Sequence, residues 1–176
     1  DILHQFFHLC THAPLPERIL HYLTRGILLA PTKPKGGVRP LGVREADARC
    51  IGRMFCAEYG EDFQEYFLAE GQFGVCSKNG CEPLVHAMQA SMEQHPDWAY
   101  SLVAYTNMFN TSSRHEFLQR CAEAHPEIFT WVYNSYRHPT ELIFQYTDVD
   151  GRPQVATVLS CDGSTQGDPL GGFLAS

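Results

Sequence analysis

The chain has 176 residues, 44% of them hydrophobic, and a formal net charge of −7 at pH 7. This composition is sufficient for a single domain with a hydrophobic core, or for a fragment of a larger domain. Because the sequence does not begin with Met, we expect a fragment. No apolar run approaches the roughly 18 residues of a membrane-spanning helix, so the sequence predicts no such helix. The acidic balance also argues against a general nucleic-acid binder, because such binding depends on neutralising phosphates.

The N-terminal part of the chain alternates helical patterns with short apolar segments. Pro14 and Pro16 separate two predicted helices, over residues 1–13 and 15–26. Residues 27–31, "ILLAP", predict a short buried strand. The following "TKPKGGVRPLGV" predicts a loop or hairpin that leads to another strand-like piece.

Further elements follow in the same order along the chain. We predict helices over residues 45–59, 62–68, 81–93, 112–124 and 128–136. Residues 98–106, "WAYSLVAYT", have the length and composition of a central strand. Two strands, "ELIFQYT" and "PQVATVLS", flank an Asp150-Gly151 pair that is typical of a hairpin turn. The fold class is therefore α+β, with several helices and a small antiparallel sheet.

Positive charge is concentrated in one segment, over residues 33–53. Six cations and only two acids, Glu45 and Asp47, give this segment a local net charge of +4. The cations are Lys33, Lys35, Arg39, Arg44, Arg49 and Arg53. The segment predicts either a solvated basic face or a surface for a negatively charged ligand.

Seven cysteines occur in the chain, an odd number, and no C-x-x-C pair is present. This usage favours free thiols in a reducing compartment over a disulfide framework. We therefore expect an intracellular protein.

The segment "GSTQGDPLGG", residues 163–172, predicts a tight turn that enters a helix. Asp168 is suited to the N-cap, and Pro169 to the first helical position, where a missing N–H costs nothing. Gln166 and Gly167 come just before this helix start, where backbone N–H groups favour anions. The turn therefore suggests phosphate or nucleic acid as a ligand.

Three segments in this order resemble the reverse transcriptases of non-LTR retrotransposons: "LAPTKPKGGVRPLGV", "VAYTNMFNTSSRHEFL" and "GSTQGDPLGG". Residues 71–87, from "GQFGV" to "GCEPLVHA", are similar to the family's connection between fingers and palm. The resemblance implies part of a right-hand polymerase fold. Residues 1–95 would form helical fingers and the connection, and residues 96–176 a partial palm.

The resemblance also implies roles for individual residues. Lys33, Lys35 and Arg39 match the loop that wraps the triphosphate of an incoming nucleotide, where cations offset phosphoryl charge. Phe109 matches the aromatic residue that lies under the sugar and excludes a 2′-hydroxyl. Gln166 and Gly167 match residues that contact the nucleotide and the template base pair. The implied partners are an RNA template, a DNA primer and a deoxynucleoside triphosphate.

The metal centre of the family is the point at which the pattern fails. Nucleotidyl transfer there uses two Mg²⁺ ions held by carboxylates, and the first carboxylate belongs five positions before Phe109, where this chain has Ala104. Asp97 lies seven residues further upstream, roughly 23 Å away along a strand, so it cannot substitute. The family's later aspartate pair follows the "QGDPLG" helix, beyond Ser176. We therefore expect a chain truncated before the catalytic hairpin, with no intact catalytic residue, no bound Mg²⁺ and no polymerase activity.

Other interpretations remain open. The chain could be a non-catalytic module that binds RNA or a protein on a palm-like scaffold. His4, His8 and His12 share one helix face and could hold zinc, although a row of solvated histidines explains them more simply. The acidic composition favours weak or no binding of the family's partners, and a retrotransposon origin implies the nucleus.

Overall fold

The computed structural model describes all 176 residues as nine helices and a four-stranded sheet. The helices are α1 (Ile2–His12), α2 (Glu17–Thr24), α3 (Ala46–Glu58), α4 (Gly60–Ala69), α5 (Cys81–Gln94), α6 (Met108–Thr111), α7 (Arg114–Ala124), α8 (Pro126–Tyr136) and α9 (Gly171–Leu174). The strands are β1 (Gly26–Leu29), β2 (Leu41–Arg44), β3 (Thr140–Thr147) and β4 (Pro153–Ser160). None of the helices combines the length and the apolar character that crossing a membrane requires.

The sheet has the order β2-β1-β3-β4 and is mixed, which corrects the prediction of a purely antiparallel sheet. Strands β1 and β2 pair antiparallel, and so do β3 and β4. A short loop connects each of these pairs, and short loops favour antiparallel pairing. The two central strands, β1 and β3, run parallel, with Ile27 opposite Ile143. The long, mostly helical connection between β2 and β3 permits this parallel pairing, because parallel strands need a crossover. The α+β class is confirmed.

The hydrophobic core is centred on α8, which is the most thoroughly buried helix. Its residues Ile128, Trp131, Val132 and Tyr136 recur at helical spacing and are at most 2% exposed. Helices α1, α2 and α7 pack against α8, and α3 and α4 complete the same cluster with Ile51, Phe63 and other apolar side chains. The predicted helices over residues 45–59 and 128–136 are confirmed to within two residues.

The β3–β4 hairpin forms as the Asp150-Gly151 pair predicts. Gly151 has a positive φ of 78°, which glycine adopts at little cost. Asp148 Oδ1 accepts hydrogen bonds from the backbone N–H groups of Asp150 and Arg152, at 3.0 and 2.8 Å. These bonds and one from Gln154 lower the pKa of the exposed Asp148 carboxyl. Asp148 and Asp150 therefore stabilise a turn, and the hairpin prediction is confirmed.

The predicted central strand over residues 98–106 is wrong. This segment is not helical or stranded, and Leu102, Val103 and Tyr105 are between 71% and 87% exposed. The β-forming composition is present, but a strand also needs a hydrogen-bonding neighbour. Strand β3 already pairs with β1 and β4, so the interior of the sheet offers no place for another strand.

Candidate functional site

The Gly163–Gly172 segment forms a compact, buried turn before α9. Gly163 and Gly167 have positive φ values of 66° and 121°. The backbone N–H of Asp168 donates to the carbonyl of Thr165, at 2.9 Å, and Asp168 Oδ1 accepts from the N–H of Leu170, at 2.9 Å. The prediction that Asp168 is the N-cap is wrong: its carboxylate bonds within the turn, and α9 begins at Gly171 with Leu170 as its N-cap. The prediction that Pro169 is the first helical residue is corrected.

Strand β2 contacts this turn through the backbone. The N–H of Gly42 donates to the carbonyl of Gln166, at 3.0 Å. A Cβ at Gly167 would come within 2.7 Å of the Gly42 carbonyl oxygen, so the contact requires a residue without a side chain. Arg39 precedes Gly42 by three residues, or about 10 Å of extended chain, so the basic loop ends on the strand that contacts Gln166 and Gly167.

The Phe109 segment contacts the turn from another side. The N–H of Gly163 donates to the carbonyl of Ser112, at 2.8 Å. A Cβ at Gly163 would lie 2.2 Å from the carbonyl oxygen of Phe109, and one at Gly171 would lie 3.8 Å from the Phe109 ring. Phe109 thus packs against the two ends of the turn that contains Gln166 and Gly167.

A buried ion pair holds the turn to β2 and α8. The Arg44 Nη1 donates to Asp168 Oδ2, at 2.9 Å, with side chains 3% and 5% exposed. The Tyr136 hydroxyl donates to the same oxygen, at 2.6 Å, and accepts from the N–H of Thr165, at 3.2 Å. Burial, reinforced by the negative charge of Asp168, raises the pKa of Tyr136 well above its usual range. The phenol therefore stays protonated and can donate to Asp168.

This ion pair corrects the prediction of a basic face over residues 33–53. Arg44 is 4% exposed and is bound to Asp168, so it contributes nothing to a ligand-binding surface. The geometry of strand β2 accounts for the direction of the Arg44 side chain. Side chains alternate between the two faces of a strand, so Arg44 shares a face with Gly42, which is also buried.

Arg114 anchors the other end of the turn. Its guanidinium donates to the carbonyls of Gly163 and His138, at 3.0 and 2.9 Å, and to Ser160 Oγ, at 3.1 Å. Arg114 is 8% exposed, and its burial lowers the pKa of the guanidinium from the usual value. The Arg44 and Arg114 guanidinium carbons lie 4.5 and 5.3 Å from the Tyr136 ring centroid. Such cation–π contacts stabilise the cluster further.

The basic loop between β1 and β2 is exposed. Its backbone is held by an isolated bridge between Thr32 and Val38 and by a bond from Arg39 N–H to the carbonyl of Pro31, at 2.9 Å. Lys33, Lys35 and Arg39 are solvent-exposed and form no ion pair with an acidic side chain. These three cations are therefore free to meet an anion.

No metal centre is assembled in the fold. No group of three or more His, Cys, Asp or Glu side chains comes together in a way that could hold a metal ion. Ala104, at the position of the family's first carboxylate, is exposed and lies in the irregular segment that follows α5. The residues present do not fit the two-metal arrangement of a polymerase, because Mg²⁺ requires oxygen ligands.

Two cavities lie apart from this region. One, of about 660 Å³, lies between α4, α7 and α9, and its lining includes Phe67, Arg120 and His125. The other, of about 530 Å³, lies between α1 and α3. Its lining includes His4, His8 and His12, which share one face of α1 as predicted, with the His8 and His12 rings stacked at 4.1 Å. None of the predicted nucleotide-binding residues lines either cavity.

Three cysteine thiols with raised pKa values predict how the free energy of unfolding changes at alkaline pH. Burial raises the pKa of Cys10 and Cys56 to about 11 and that of Cys121 to about 12, from an ordinary value of 9.0. Below pH 9 both the folded and the unfolded chain keep these protons. Above it the unfolded chain releases protons that the folded chain retains, so stability falls as pH rises. For Cys121 we expect a loss of about 1 kcal/mol between pH 9 and 10.

Urea unfolding at a series of pH values between neutrality and pH 11 measures this effect. The variant Cys121→Ala is expected to be less stable at neutral pH but to show a shallower alkaline decline. Cys50 is exposed, so Cys50→Ala is the matched control and should keep the slope of the original chain. Equal slopes for all three proteins would contradict the prediction.

No family model matches this chain, and no curated protein matches it significantly.

Proposed function

We propose that this chain is a reverse-transcriptase-type domain, composed of fingers and part of a palm, that binds primed RNA and nucleotide without polymerising. The observation that carries the proposal is the hydrogen bond from Gly42 to Gln166. It joins the strand after the basic loop to the "QGDP" turn, two segments separated by more than a hundred residues. The resemblance requires these two segments to share one pocket.

The charge of the region supports an anionic ligand. Lys33, Lys35 and Arg39 are exposed and unpaired, although the chain as a whole is acidic. A local cluster of cations attracts phosphates, while the net charge of −7 opposes them at longer range. We therefore propose weak binding that depends strongly on salt.

The absence of polymerisation follows from Ala104. A methyl group cannot coordinate Mg²⁺, and no acidic cluster elsewhere replaces the carboxylate. Without it, the attacking primer hydroxyl and the triphosphate cannot be held between two metal ions. The proposed activity is therefore binding alone.

Fluorescence anisotropy with a labelled DNA primer annealed to an RNA template tests this proposal. We expect weak binding, with a slope of log affinity against log salt of about −2, as for three phosphate contacts to a partly single-stranded ligand. Lys35→Ala or Arg39→Ala should each weaken binding about two- to fivefold and make the salt slope shallower by about one unit. Adding a deoxynucleoside triphosphate should strengthen binding to the original chain.

Arg18→Ala is the matched control for this experiment. Arg18 is an exposed cation on α2. Helix α2 precedes β1 in the chain, whereas the basic loop follows β1, so the two lie at opposite ends of this strand. Its removal changes the net charge equally but should leave affinity and nucleotide response nearly unchanged. Equal weakening by all three variants would indicate a general charge effect and would contradict the proposed site. Primer extension above a buffer control would contradict the absence of polymerase activity.

A further inference from the structure

One buried phenol bonds to both ends of the segment that contains Gln166 and Gly167. The Tyr136 hydroxyl donates to Asp168 Oδ2, at 2.6 Å, and accepts from the backbone N–H of Thr165, at 3.2 Å. These two partners flank Gln166 and Gly167 in the chain. A phenolic oxygen can donate and accept at once, so this single atom sets how far apart the two ends of the segment lie.

The two residues between these ends are the ones that reach solvent. Gly167 is exposed and Gln166 is half-buried, whereas Thr165 is buried. The Gln166 carbonyl accepts from the N–H of Gly42, at 3.0 Å. None of the side-chain hydrogen bonds in the turn involves the Gln166 amide. This amide is therefore available to a ligand, in an orientation that the backbone of the turn determines.

The Tyr136 side chain is itself confined by the core. It lies on α8 and is 2% exposed. Its ring packs edge-on against Phe117, with ring centroids 5.3 Å apart, and the guanidinium carbon of Arg44 lies 4.5 Å from its centroid. Close packing of this kind leaves a side chain one position, so the hydroxyl is a fixed point for the turn. Because it does not reach solvent, it can act on a ligand only through the turn.

We propose that Tyr136 is a positioning residue for nucleotide binding: its hydroxyl fixes the backbone of the turn so that the Gln166 amide meets the nucleotide. This inference rests on the proposed function and adds the residue on which the response to nucleotide depends. The Tyr136 hydroxyl bonds to the turn and not to the basic loop. The attraction of phosphates by the loop and the response to nucleotide should therefore be separable.

The variant Tyr136→Phe removes the hydroxyl and keeps the buried ring. Asp168 keeps its ion pair with Arg44, but the Thr165 N–H loses its acceptor. In fluorescence anisotropy, the affinity for primed RNA alone should stay within about twofold of the original, because the exposed cations are unchanged. The nucleotide concentration that gives half of the strengthening should rise about five- to tenfold, since the amide is no longer held in place.

Ile128→Val is the matched control for a loss of stability. Ile128 is completely buried two helical turns before Tyr136 on α8. Removing one carbon from the core there destabilises the fold while the Tyr136 hydroxyl is retained. This variant should respond to nucleotide like the original chain. An equal loss of response in Ile128→Val would show that any destabilising change removes it, and would overturn the proposal.

A double-variant cycle with Gln166→Ala distinguishes positioning from a general structural role. Gln166→Ala removes the amide and should itself raise the nucleotide concentration that gives half of the strengthening. If Tyr136 acts through Gln166, combining Tyr136→Phe with Gln166→Ala has no further effect. Multiplied effects in the double variant would contradict the positioning role.

Amide hydrogen exchange tests the same positioning without any ligand. The N–H of Gly42 bonds to the Gln166 carbonyl and so reports on the turn. It should exchange about three- to tenfold faster in Tyr136→Phe and be unchanged in Ile128→Val. An original chain that does not respond to nucleotide would overturn the proposed function and the inference that rests on it. An original chain that responds, with Tyr136→Phe changing neither the response nor the exchange of Gly42, would overturn the positioning role alone.

Discussion

Replacing Asp168 with alanine is expected to lower the free energy of unfolding by about 3 to 5 kcal/mol. The substitution leaves the Arg44 guanidinium buried without its counter-ion and removes the acceptor of the Tyr136 hydroxyl. It also removes the acceptor for the Leu170 N–H at the start of α9. Urea unfolding followed by tryptophan fluorescence measures the change, because Trp131 is only 2% exposed and reports on the core.

Three further variants separate the causes of this loss. Asp168→Asn keeps an oxygen for the Leu170 N–H but removes the charge, so its effect should be intermediate. The double variant Arg44→Met with Asp168→Leu removes both charges and should recover much of the stability, because a buried ion pair can often be replaced by apolar side chains. Asp148→Ala, at an exposed turn, is the control for loss of an aspartate. If Asp168→Ala destabilises no more than Asp148→Ala, the buried pair is not a stabilising element.

The parts of the fold that could be predicted are those with a local physical cause. The β3–β4 hairpin depends on the Asp150-Gly151 pair and on side-chain bonds within five residues. Helices α3 and α8 depend on apolar residues at helical spacing, such as Ile128, Trp131 and Val132. Each signal lies inside the element that it predicts, so the sequence alone was sufficient.

The parts that could not be predicted depend on partners distant in the chain. The composition of residues 98–106 favours a strand, but pairing depends on a neighbour, and no strand of this chain lies beside it. The tight turn over residues 163–172 was predicted from its own sequence, and Gly163 and Gly167 have positive φ angles there. The contact of Gly42 with Gln166 was not, because it joins residues that are far apart in the sequence.

Arg44 shows the same limit within the candidate site. Its charge suggested a ligand-binding surface, because most arginines are exposed. Its burial depends on the ion pair with Asp168, which is 124 residues away in the sequence. The sequence alone assigns Asp168 only to the capping of a helix. Lys33, Lys35 and Arg39 have no such partner and are exposed, and their role in binding a ligand stays a prediction.

The second large effect is expected for Gly163→Ala, which should cost about 3 kcal/mol or more. Gly163 has a φ of 66°, and an added Cβ would lie 2.2 Å from the Phe109 carbonyl oxygen and 2.4 Å from the carbonyl carbon of Asn110. These are backbone atoms, which cannot rotate away as a side chain can. The turn must therefore move, and the bond from Gly163 to Ser112 must lengthen or break. Urea unfolding measures the cost.

Gly151→Ala provides the matched control, because it separates backbone strain from the steric contact. Gly151 has a similar φ of 78°, but nothing lies within 4 Å of a Cβ added there. Its replacement should cost only about 1 kcal/mol, the strain of a left-handed alanine. The displaced turn in Gly163→Ala should also weaken the binding of primed RNA, since Gln166 and Gly167 move away from Phe109, whereas Gly151→Ala should leave binding unchanged. Equal costs for the two variants would mean that close packing of the Phe109 segment on the turn does not hold this region together.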